Sequence, residues 1–263
     1  MSGPATLRPL PRRARRWQTL VLVALVAAAG CSGAADTRSI TRSTQAPSAT
    51  TGTGATVSAF ARDRFAAVIP ATPGAVWVTN SGGGGDSMAR IDPKTNRLVG
   101  RPVTTGASPQ SLAVGGGSLW VANHDARTVT RIDQASGKVV ANIPVPSEPH
   151  RVAYGAGAAW VGNWHDNSVS RIDPTTNRVV GSPIPIGFRA GNLVVGTDGV
   201  WVTSDYRVDA AAEDVVVVRI DPQTNRAVET IAVGGHPIDV AATGGAIWVS
   251  VADPGTLLRI AGR

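Results

Sequence analysis

A repeat of about forty residues runs through most of this chain and restricts it to folds built from repeated units. Tryptophans recur at spacings of 43, 40, 41 and 47 residues, at Trp77, Trp120, Trp160, Trp201 and Trp248. A second column holds arginines that are each followed by isoleucine, at Arg90, Arg131, Arg171, Arg219 and Arg259. The segments between the columns have the pattern of short strands rather than helices. Such a repeat predicts an all-β fold, the β-propeller, in which each repeat forms one blade.

Each repeat contains the parts of a four-stranded blade. An inner strand precedes the Trp-Val-x-Asn strand, which is rich in aromatic and β-branched residues, and the Arg-Ile-Asp strand comes next. That strand ends in the hexapeptide Asp-Pro-x-Thr-Asn-Arg at residues 92–97, 173–178 and 221–226. The hexapeptide is typical of a hairpin turn, because Asp accepts local backbone N–H groups and Pro presets φ. An outer strand and a crossover to the next repeat complete the unit.

One position of the turn indicates its backbone conformation. Gly137 in the second repeat replaces the asparagine found at Asn96, Asn177 and Asn225. Glycine and asparagine share a tolerance of positive φ, so we expect all three asparagines in the left-handed region. On this reasoning Asn177→Gly should be tolerated, whereas Asn177→Val should destabilise the fold.

Five four-stranded blades are expected between residue 56 and the end of this sequence. The fifth repeat has an Arg-Ile strand but no turn or outer strand after it. A blade without its outer strand leaves a sheet edge unpaired. We therefore expect residues 56–61, Thr-Val-Ser-Ala-Phe-Ala, to pair beside residues 256–260 and close the ring as an N-terminal strand.

The first 30 residues have the pattern of a targeting segment. Arginines precede an apolar run at residues 17–29 that is too short to span a bilayer. Ala-Ala-Gly-Cys at residues 28–31 resembles a lipoprotein cleavage site, and Cys31 is the only cysteine. We predict a lipoprotein-type signal peptide over residues 1–30 and a lipid on Cys31 that holds the protein on the outer face of the cell membrane. The alternative is an ordinary secretory signal, which would release the protein.

The remaining chain divides into two parts. Residues 31–55 are rich in Ser, Thr, Ala and Gly without a hydrophobic period, which predicts a disordered tether. Residues 56–263 form the predicted propeller domain. The chain has 25 basic and 18 acidic residues, but five of the arginines and no acidic residue precede residue 30. The rest is close to neutral, so we expect no nucleic-acid partner.

Functional residues are expected where the repeats differ. The loop after each Trp-Val-x-Asn strand and the crossover lie at one end of the strands, which we call the loop face. The hexapeptide turns lie at the other end, the turn face. The candidate contact residues on the loop face are His124, Arg151, Trp164, His165, Asp166, Tyr206 and His236. Trp164 is the strongest, because it lies outside the tryptophan column and beside His165 and Asp166.

The two repeated columns have a structural interpretation. The column tryptophans are expected to pack the blades together. Each column arginine is expected to pair with a turn aspartate or a backbone carbonyl of a neighbouring blade.

The pattern Trp-Val-x-Asn followed by Arg-Ile-Asp-Pro-x-Thr-Asn-Arg-Val, over residues 66–260, resembles the YVTN-type and virginiamycin B lyase-like bacterial propellers. For the lyase, the resemblance implies a seven-bladed, magnesium-dependent enzyme that opens a cyclic depsipeptide by elimination. Its catalytic set has a histidine in each of two successive crossovers, a glutamate two residues before the second histidine, and a glutamate ending the next Trp strand. Glu148 and His150 match one Glu-x-His pair, whereas Gln110 and Asn163 stand at the other two positions.

These patterns favour a membrane-tethered, extracytoplasmic binding or scaffold module that contacts an unidentified protein, peptide or glycan and needs no cofactor. The first alternative is a metal-assisted lyase or hydrolase that uses Glu148, His150 and His165, and it alone requires Mg²⁺. The second alternative is a carbohydrate or cell-wall binder built on Trp164 and Tyr206. Convergence of the loop-face histidines on one metal-sized point would favour the enzyme.

Overall fold

The structure is a computed structural model that describes residues 71–72, 74–81, 86–205, 216–252 and 255–261. The chain divides into two compact units, Met1–Gly54 and Ala55–Arg263, and all described residues belong to the second. The predicted signal peptide, Cys31, the tether, the closing strand at 56–61 and Tyr206 therefore lie outside the described residues. Among the described residues, no helix has the length and apolar character needed to cross a membrane.

The described residues form strands and turns only, as the repeat pattern predicts. The strands in chain order are β1 (Ala71–Thr72), β2 (Ala75–Asn80), β3 (Ser87–Asp92), β4 (Arg97–Leu98), β5 (Val103–Thr104), β6 (Pro109–Gly115), β7 (Ser118–Asn123), β8 (Thr128–Asp133), β9 (Val139–Pro144), β10 (Pro149–Gly155), β11 (Ala158–Asn163), β12 (Ser168–Asp173), β13 (Arg178–Val179), β14 (Ile184–Pro185), β15 (Ala190–Val195), β16 (Val200–Ser204), β17 (Val216–Asp221), β18 (Arg226–Ala232), β19 (Pro237–Thr243), β20 (Ala246–Val251) and β21 (Thr256–Ala261).

Within the described ranges these strands make five antiparallel sheets, one for each repeat. Sheets 2 and 4 have the orders β6-β7-β8-β9 and β15-β16-β17-β18, and sheet 5 has β19-β20-β21. In sheets 1 and 3 the outer position is shared by two short strands, β4 with β5 and β13 with β14. The first strands of neighbouring sheets, β6, β10, β15 and β19, pack side by side in chain order. This stacking of similar sheets through their inner strands is the arrangement of a β-propeller.

The split outer strand has a local cause. Between β13 and β14, Gly181 adopts a φ of 65° and Pro183 has no N–H to donate to the ladder. Strand β18 has neither residue type and runs unbroken from Arg226 to Ala232. The position of Gly and Pro thus decides how far each outer strand pairs.

The tryptophan and arginine columns meet in every sheet. Trp120 lies directly opposite Arg131 in the β7–β8 ladder, and the same pairing recurs in the other four sheets. The guanidinium carbon lies 4.9 Å from the centre of the Trp120 ring, a cation–π contact. Trp77, Trp120, Trp160 and Trp201 are all buried in the core. These four column tryptophans are packing residues, as expected, and Trp248 is half-buried.

The column arginines of sheets 2 and 3 join each sheet to the next. Arg131 Nη1 donates to Asn177 Oδ1 at 2.8 Å and also to the carbonyl of Pro174. Arg171 Nη1 repeats both bonds with Asn225, at 2.9 Å, and with Pro222. We call this pair of bonds the latch. The expected bond to a neighbouring carbonyl is confirmed, whereas the side-chain acceptor is the turn asparagine rather than the turn aspartate.

The turn conformation is also confirmed. Asn96, Asn177 and Asn225 have φ values of 54°, 55° and 53°, and Gly137 has 68°. The turn aspartate stabilises the turn through hydrogen bonds within it. Asp173 accepts hydrogen bonds from the Thr175 N–H at 2.7 Å and the Thr176 hydroxyl at 3.1 Å. The expectation for Asn177→Gly changes, however, because the latch also uses the Asn177 carboxamide.

Candidate functional site

The loop face has a repeated backbone frame that carries different side chains. In sheets 2 to 5 the first residue after the Trp-Val strand donates its N–H to the carbonyl of a crossover residue at 2.8–2.9 Å. These pairs are His124 with Ser108, Trp164 with Glu148, Asp205 with Arg189, and Ala252 with His236. Because the bond recurs while the side chains differ, the frame holds distinct chemical groups at equivalent positions of a rigid scaffold.

The crossover between sheets 2 and 3 places Glu148 at the centre of an ionic cluster. His165 Nε2 lies 2.7 Å from Glu148 Oε2, and His124 Nε2 lies 3.9 Å from the same oxygen. Arg127 Nη2 lies 3.3 Å from the other oxygen, Oε1. We call these four residues the Glu148 cluster. It brings two loops and one crossover together across the boundary between two sheets.

Charge balance explains why this arrangement is stable. The Glu148 side chain is 19% exposed, and a mostly buried carboxylate needs hydrogen-bonded or charged partners. Arg127 supplies a permanent positive charge, and the two imidazoles lie beside the other carboxylate oxygen. His124 is itself held by Asp125, whose Oδ1 lies 2.8 Å from Nδ1.

An aromatic stack lies next to the Glu148 cluster. The rings of His150 and Trp164 are 4.5 Å apart between centres, and the Arg189 guanidinium lies 5.5 Å from the centre of the Trp164 ring. His150 is buried, at 6% exposure, and Trp164 is half-buried. His124 contacts His150 edge to face at 6.5 Å, which joins the stack to the cluster. Trp164 is thus fixed in place while part of its surface stays accessible.

A hydrogen-bonded line extends from the stack across two more sheets. Arg151 Nε donates to Asn192 Oδ1 at 2.7 Å, and Asn192 Nδ2 donates to the carbonyl of Ile238 at 2.7 Å. These residues occupy the first strands β10, β15 and β19. The predicted residue Arg151 therefore serves first to tie the inner strands together at the loop face.

The structure brings together His124, Trp164, His165, Glu148 and His150 of the predicted site residues. Asp166 follows His165 on the exposed part of the same loop. His236 lies in the crossover between sheets 4 and 5, and no described side-chain contact joins it to the Glu148 cluster. Arg127 and Asn192 were not predicted. Their only sequence signals are that Arg127 lies three residues after His124 and that Asn192 occupies the position in its repeat that Arg151 occupies in the preceding one.

Asn163 and Gln110, which stand at the other two lyase positions, are neutral amides that make hydrogen bonds within the fold. Asn163 is fully buried and donates from Nδ2 to the hydroxyls of Ser168 and Ser170, at 3.0 and 2.9 Å. Asn123 makes the equivalent bonds to Thr128 and Thr130 in sheet 2, so the asparagine ending a Trp strand is a packing element. Gln110 donates to the Ser108 hydroxyl at 3.1 Å.

The described residues do not fit a magnesium site. They contain no group of three or more His, Cys, Asp or Glu side chains arranged to hold a metal ion. Glu148 is the one carboxylate at the centre of the histidines, and the Arg127 guanidinium beside it would oppose a cation. Magnesium prefers several carboxylate and water oxygens, which this cluster of imidazoles and a guanidinium does not provide. His124 and His165 do converge, but on the Glu148 carboxylate rather than on a metal-sized point.

The fold matches known propellers in a comparison with solved structures. Hydrazine synthase from Kuenenia stuttgartiensis matches with a TM-score of 0.60 at 21% identity, over 68% of this chain and 52% of that chain. Virginiamycin B lyase from Staphylococcus aureus matches with a TM-score of 0.59 at 16% identity, over 74% and 69% of the two chains. BamB from Moraxella catarrhalis matches with a TM-score of 0.59 at 15% identity, over 76% and 58%.

These matches establish a β-propeller fold like that of virginiamycin B lyase and no more than the fold, because every identity is low. The matched part of this chain spans about half of the hydrazine synthase chain. No protein-family sequence profile matches the chain. No curated protein matches it either.

Proposed function

We propose that this β-propeller is an extracytoplasmic binding module whose contact surface is the loop face of sheets 2 and 3. The observation that carries the proposal is the position of Trp164, half-buried between His150 and Arg189 and beside the Glu148 cluster. Tryptophan and arginine are the residues that most often dominate binding energy in protein interfaces, especially where the side chain is already held in place. The partner that fits this surface best is a protein or peptide.

The chemistry of the surface supports a polar, hydrogen-bonding partner. Arg127 and His165 are exposed, with side-chain exposures of 63% and 59%, and both already contact Glu148. A partner carboxylate or carbonyl could bind their remaining N–H groups while Trp164 supplies apolar contact area. The Arg189 guanidinium lies against the Trp164 ring, which reduces the area available for stacking a sugar. For this reason we place the glycan-binding alternative second to a protein partner.

A site-specific photo-crosslinker tests this proposal in cells. The reactive residue is introduced at Asp166 on the loop face, and in a matched variant at Thr175 on the turn face of the same sheet; both positions are exposed. We expect a crosslinked partner from Asp166 only, and its loss when Trp164→Ala is added. Equal crosslinking from both positions, or crosslinking that survives Trp164→Ala, would contradict the proposed surface.

A metal-assisted lyase is the alternative to a binding function because of one contact, the 2.7 Å approach of His165 to Glu148. A carboxylate beside an imidazole can move a proton, which elimination chemistry requires. The test is turnover of a streptogramin B substrate with and without added Mg²⁺. We expect none; turnover that disappears in Glu148→Gln but persists in His236→Ala would replace the binding proposal with a lyase.

The number of blades, the closure of the ring and the membrane anchor are part of the same proposal. We infer five blades, with residues 56–61 pairing beside β21 to close the ring, and a lipid on Cys31 that holds the domain on the membrane through residues 31–55. The support for ring closure is that β21 is the last strand of a three-stranded sheet and that Leu257 on it is 64% exposed.

A further inference from the structure

The boundary between sheets 1 and 2 lacks the latch found at the next two boundaries. The arginine in the latch position is Arg90, and the turn that faces it in the repeat order is residues 133–138 of sheet 2. In that turn Gly137 replaces the asparagine whose carboxamide accepts the arginine bond in sheets 3 and 4. Arg90 Nε is buried without an acceptor among the described residues, as is Arg171 Nε, but Arg171 makes its latch through Nη1 and Arg90 makes no such bond to a described residue.

A cavity occupies this position. Its volume is about 390 Å³, and it is lined by Thr72, Trp77, Arg90, Asp133, Gln134 and Ala135, among others. It opens on the turn face, at the opposite end of the strands from the Glu148 cluster. Asp133, Gln134 and Ala135 belong to the turn that contains Gly137, so the cavity lies at the boundary that lacks the latch.

A second buried donor lines the same cavity. Trp77 is 1% exposed, and its Nε1–H has no hydrogen-bond partner among the described residues. The equivalent N–H groups of Trp120 and Trp160 donate to the carbonyls of Gly115 and Gly155, at 3.2 and 3.1 Å. Leaving a buried donor unpaired is costly, so the boundary between sheets 1 and 2 is less well satisfied than the next two.

We propose that the cavity between sheets 1 and 2 binds a small organic carboxylate. The Arg90 guanidinium, which lines the cavity, supplies charge and a planar set of donors that matches a carboxylate. The Trp77 ring and Ala135 provide apolar walls, which favour an aromatic or aliphatic acid over an inorganic anion. The nearby Asp133 carboxylate is engaged by Ser136, whose N–H and hydroxyl lie 2.8 and 2.6 Å from its Oδ1.

The test uses the full chain and benzoate, with neutral benzamide as the matched control ligand and inorganic phosphate as the competing anion. Calorimetric titration should detect benzoate at or below about 1 mM, and benzamide should bind at least tenfold more weakly because it lacks the charge. Arg90→Gln should weaken benzoate binding about tenfold or more. Arg259→Gln, the exposed column arginine of sheet 5, is the matched control and should leave binding unchanged.

Gly137→Asn is the second variant, and it tests the proposal even where Arg90→Gln does not fold. A Cβ at Gly137 would meet no atom within 4 Å, and asparagine already adopts this φ in the other turns. The new carboxamide should latch Arg90, abolish benzoate binding and raise the melting temperature. Absence of benzoate binding, equal binding of benzamide, preference for phosphate, or binding that survives both Arg90→Gln and Gly137→Asn would each overturn the proposal.

Discussion

Arg131 donates a hydrogen bond to Asn177, which lies 46 residues later in the turn of the next sheet, at a distance of 2.8 Å. The same bond recurs one repeat further along, from Arg171 to Asn225. A repeat of about forty residues therefore builds its own connection between neighbouring sheets. Each latch arginine packs on its tryptophan and each asparagine is held by its turn. The latch therefore joins two repeated features of the chain, the Trp–Arg pair and the hexapeptide turn.

Replacing the latch arginine should destabilise the protein. Arg131→Met keeps an unbranched stem over Trp120 but loses three charge-assisted bonds, the two of the latch and one from Nε to the Ser118 hydroxyl, so we expect a loss of about 1.5–3 kcal/mol in the free energy of unfolding. Arg90→Met is the matched control, because Arg90 makes no latch, and it should cost less than about 1 kcal/mol. Urea unfolding of both variants measures the difference. Similar losses in the two variants would show that cation–π packing, rather than the latch, carries the stability.

The turn asparagines should divide into two classes. Asn177→Gly keeps the left-handed φ but removes the acceptor of Arg131, so it should cost about 1–2 kcal/mol. Asn96→Gly has the same φ, and no described arginine donates to it, so its cost should stay within about 0.5 kcal/mol. Asn177→Val should be worse than Asn177→Gly, since a β-branched residue is strained at this φ. Thermal unfolding of the three variants checks the order.

Acid should weaken the turns. The backbone N–H of Thr175, followed by the Thr176 hydroxyl, holds the pKa of Asp173 below 3.8. Backbone N–H groups likewise lower the pKa values of Asp92 and Asp221, and the Ser136 hydroxyl, followed by its N–H, lowers the pKa of Asp133. A folded pKa below the unfolded one adds stability above about pH 4 that is lost as the pH falls through the folded value.

Asp173→Asn tests this dependence at one turn. The amide cannot titrate, so the difference in unfolding free energy between pH 7 and pH 3 should be smaller in the variant than in the natural protein. Denaturant titrations at the two pH values give that difference directly. An unchanged difference would mean that other carboxylates determine the acid sensitivity.

Deleting the predicted closing strand should lower the melting temperature, whereas deleting an equally long segment of the tether should not. Removing residues 56–61 should lower the melting temperature, because the edge of β21 would lose its partner. Removing residues 40–45, a segment of the same length in the predicted tether, should leave it unchanged. If both deletions melt like the full chain, the ring is not closed by residues 56–61.

The predicted anchor depends on one atom, the Cys31 sulfur. Several acyl chains bind a membrane stably, so Cys31→Ser should release the protein into the soluble fraction after a high-salt wash. Ser32→Ala is the control and should stay with the membrane. Retention of Cys31→Ser would indicate that another segment holds the protein there.

Much of the candidate site was predictable from the repeat alone. Because successive loops alternate between the two ends of the strands, the sequence predicted that every histidine lies on the loop face. Trp164 was predicted as a contact residue because it lies outside the tryptophan column. The spacing did not predict which groups meet, because contacts between sheets depend on side-chain direction. Glu148 was paired with His150 by the resemblance to the lyase, yet the structure places it against His165 and His124.

The sequence by itself determined the strands, the turns and the unit that repeats, because these depend on local φ preferences and on apolar patterning within about forty residues. Only the tertiary structure decided how neighbouring units join. It joined Arg131 and Arg171 to the following turn, gathered His124, Glu148 and His165 into one cluster, and left Arg90 beside a cavity. These relationships connect residues that are distant in the chain, and their geometry follows from the packing of one sheet on the next.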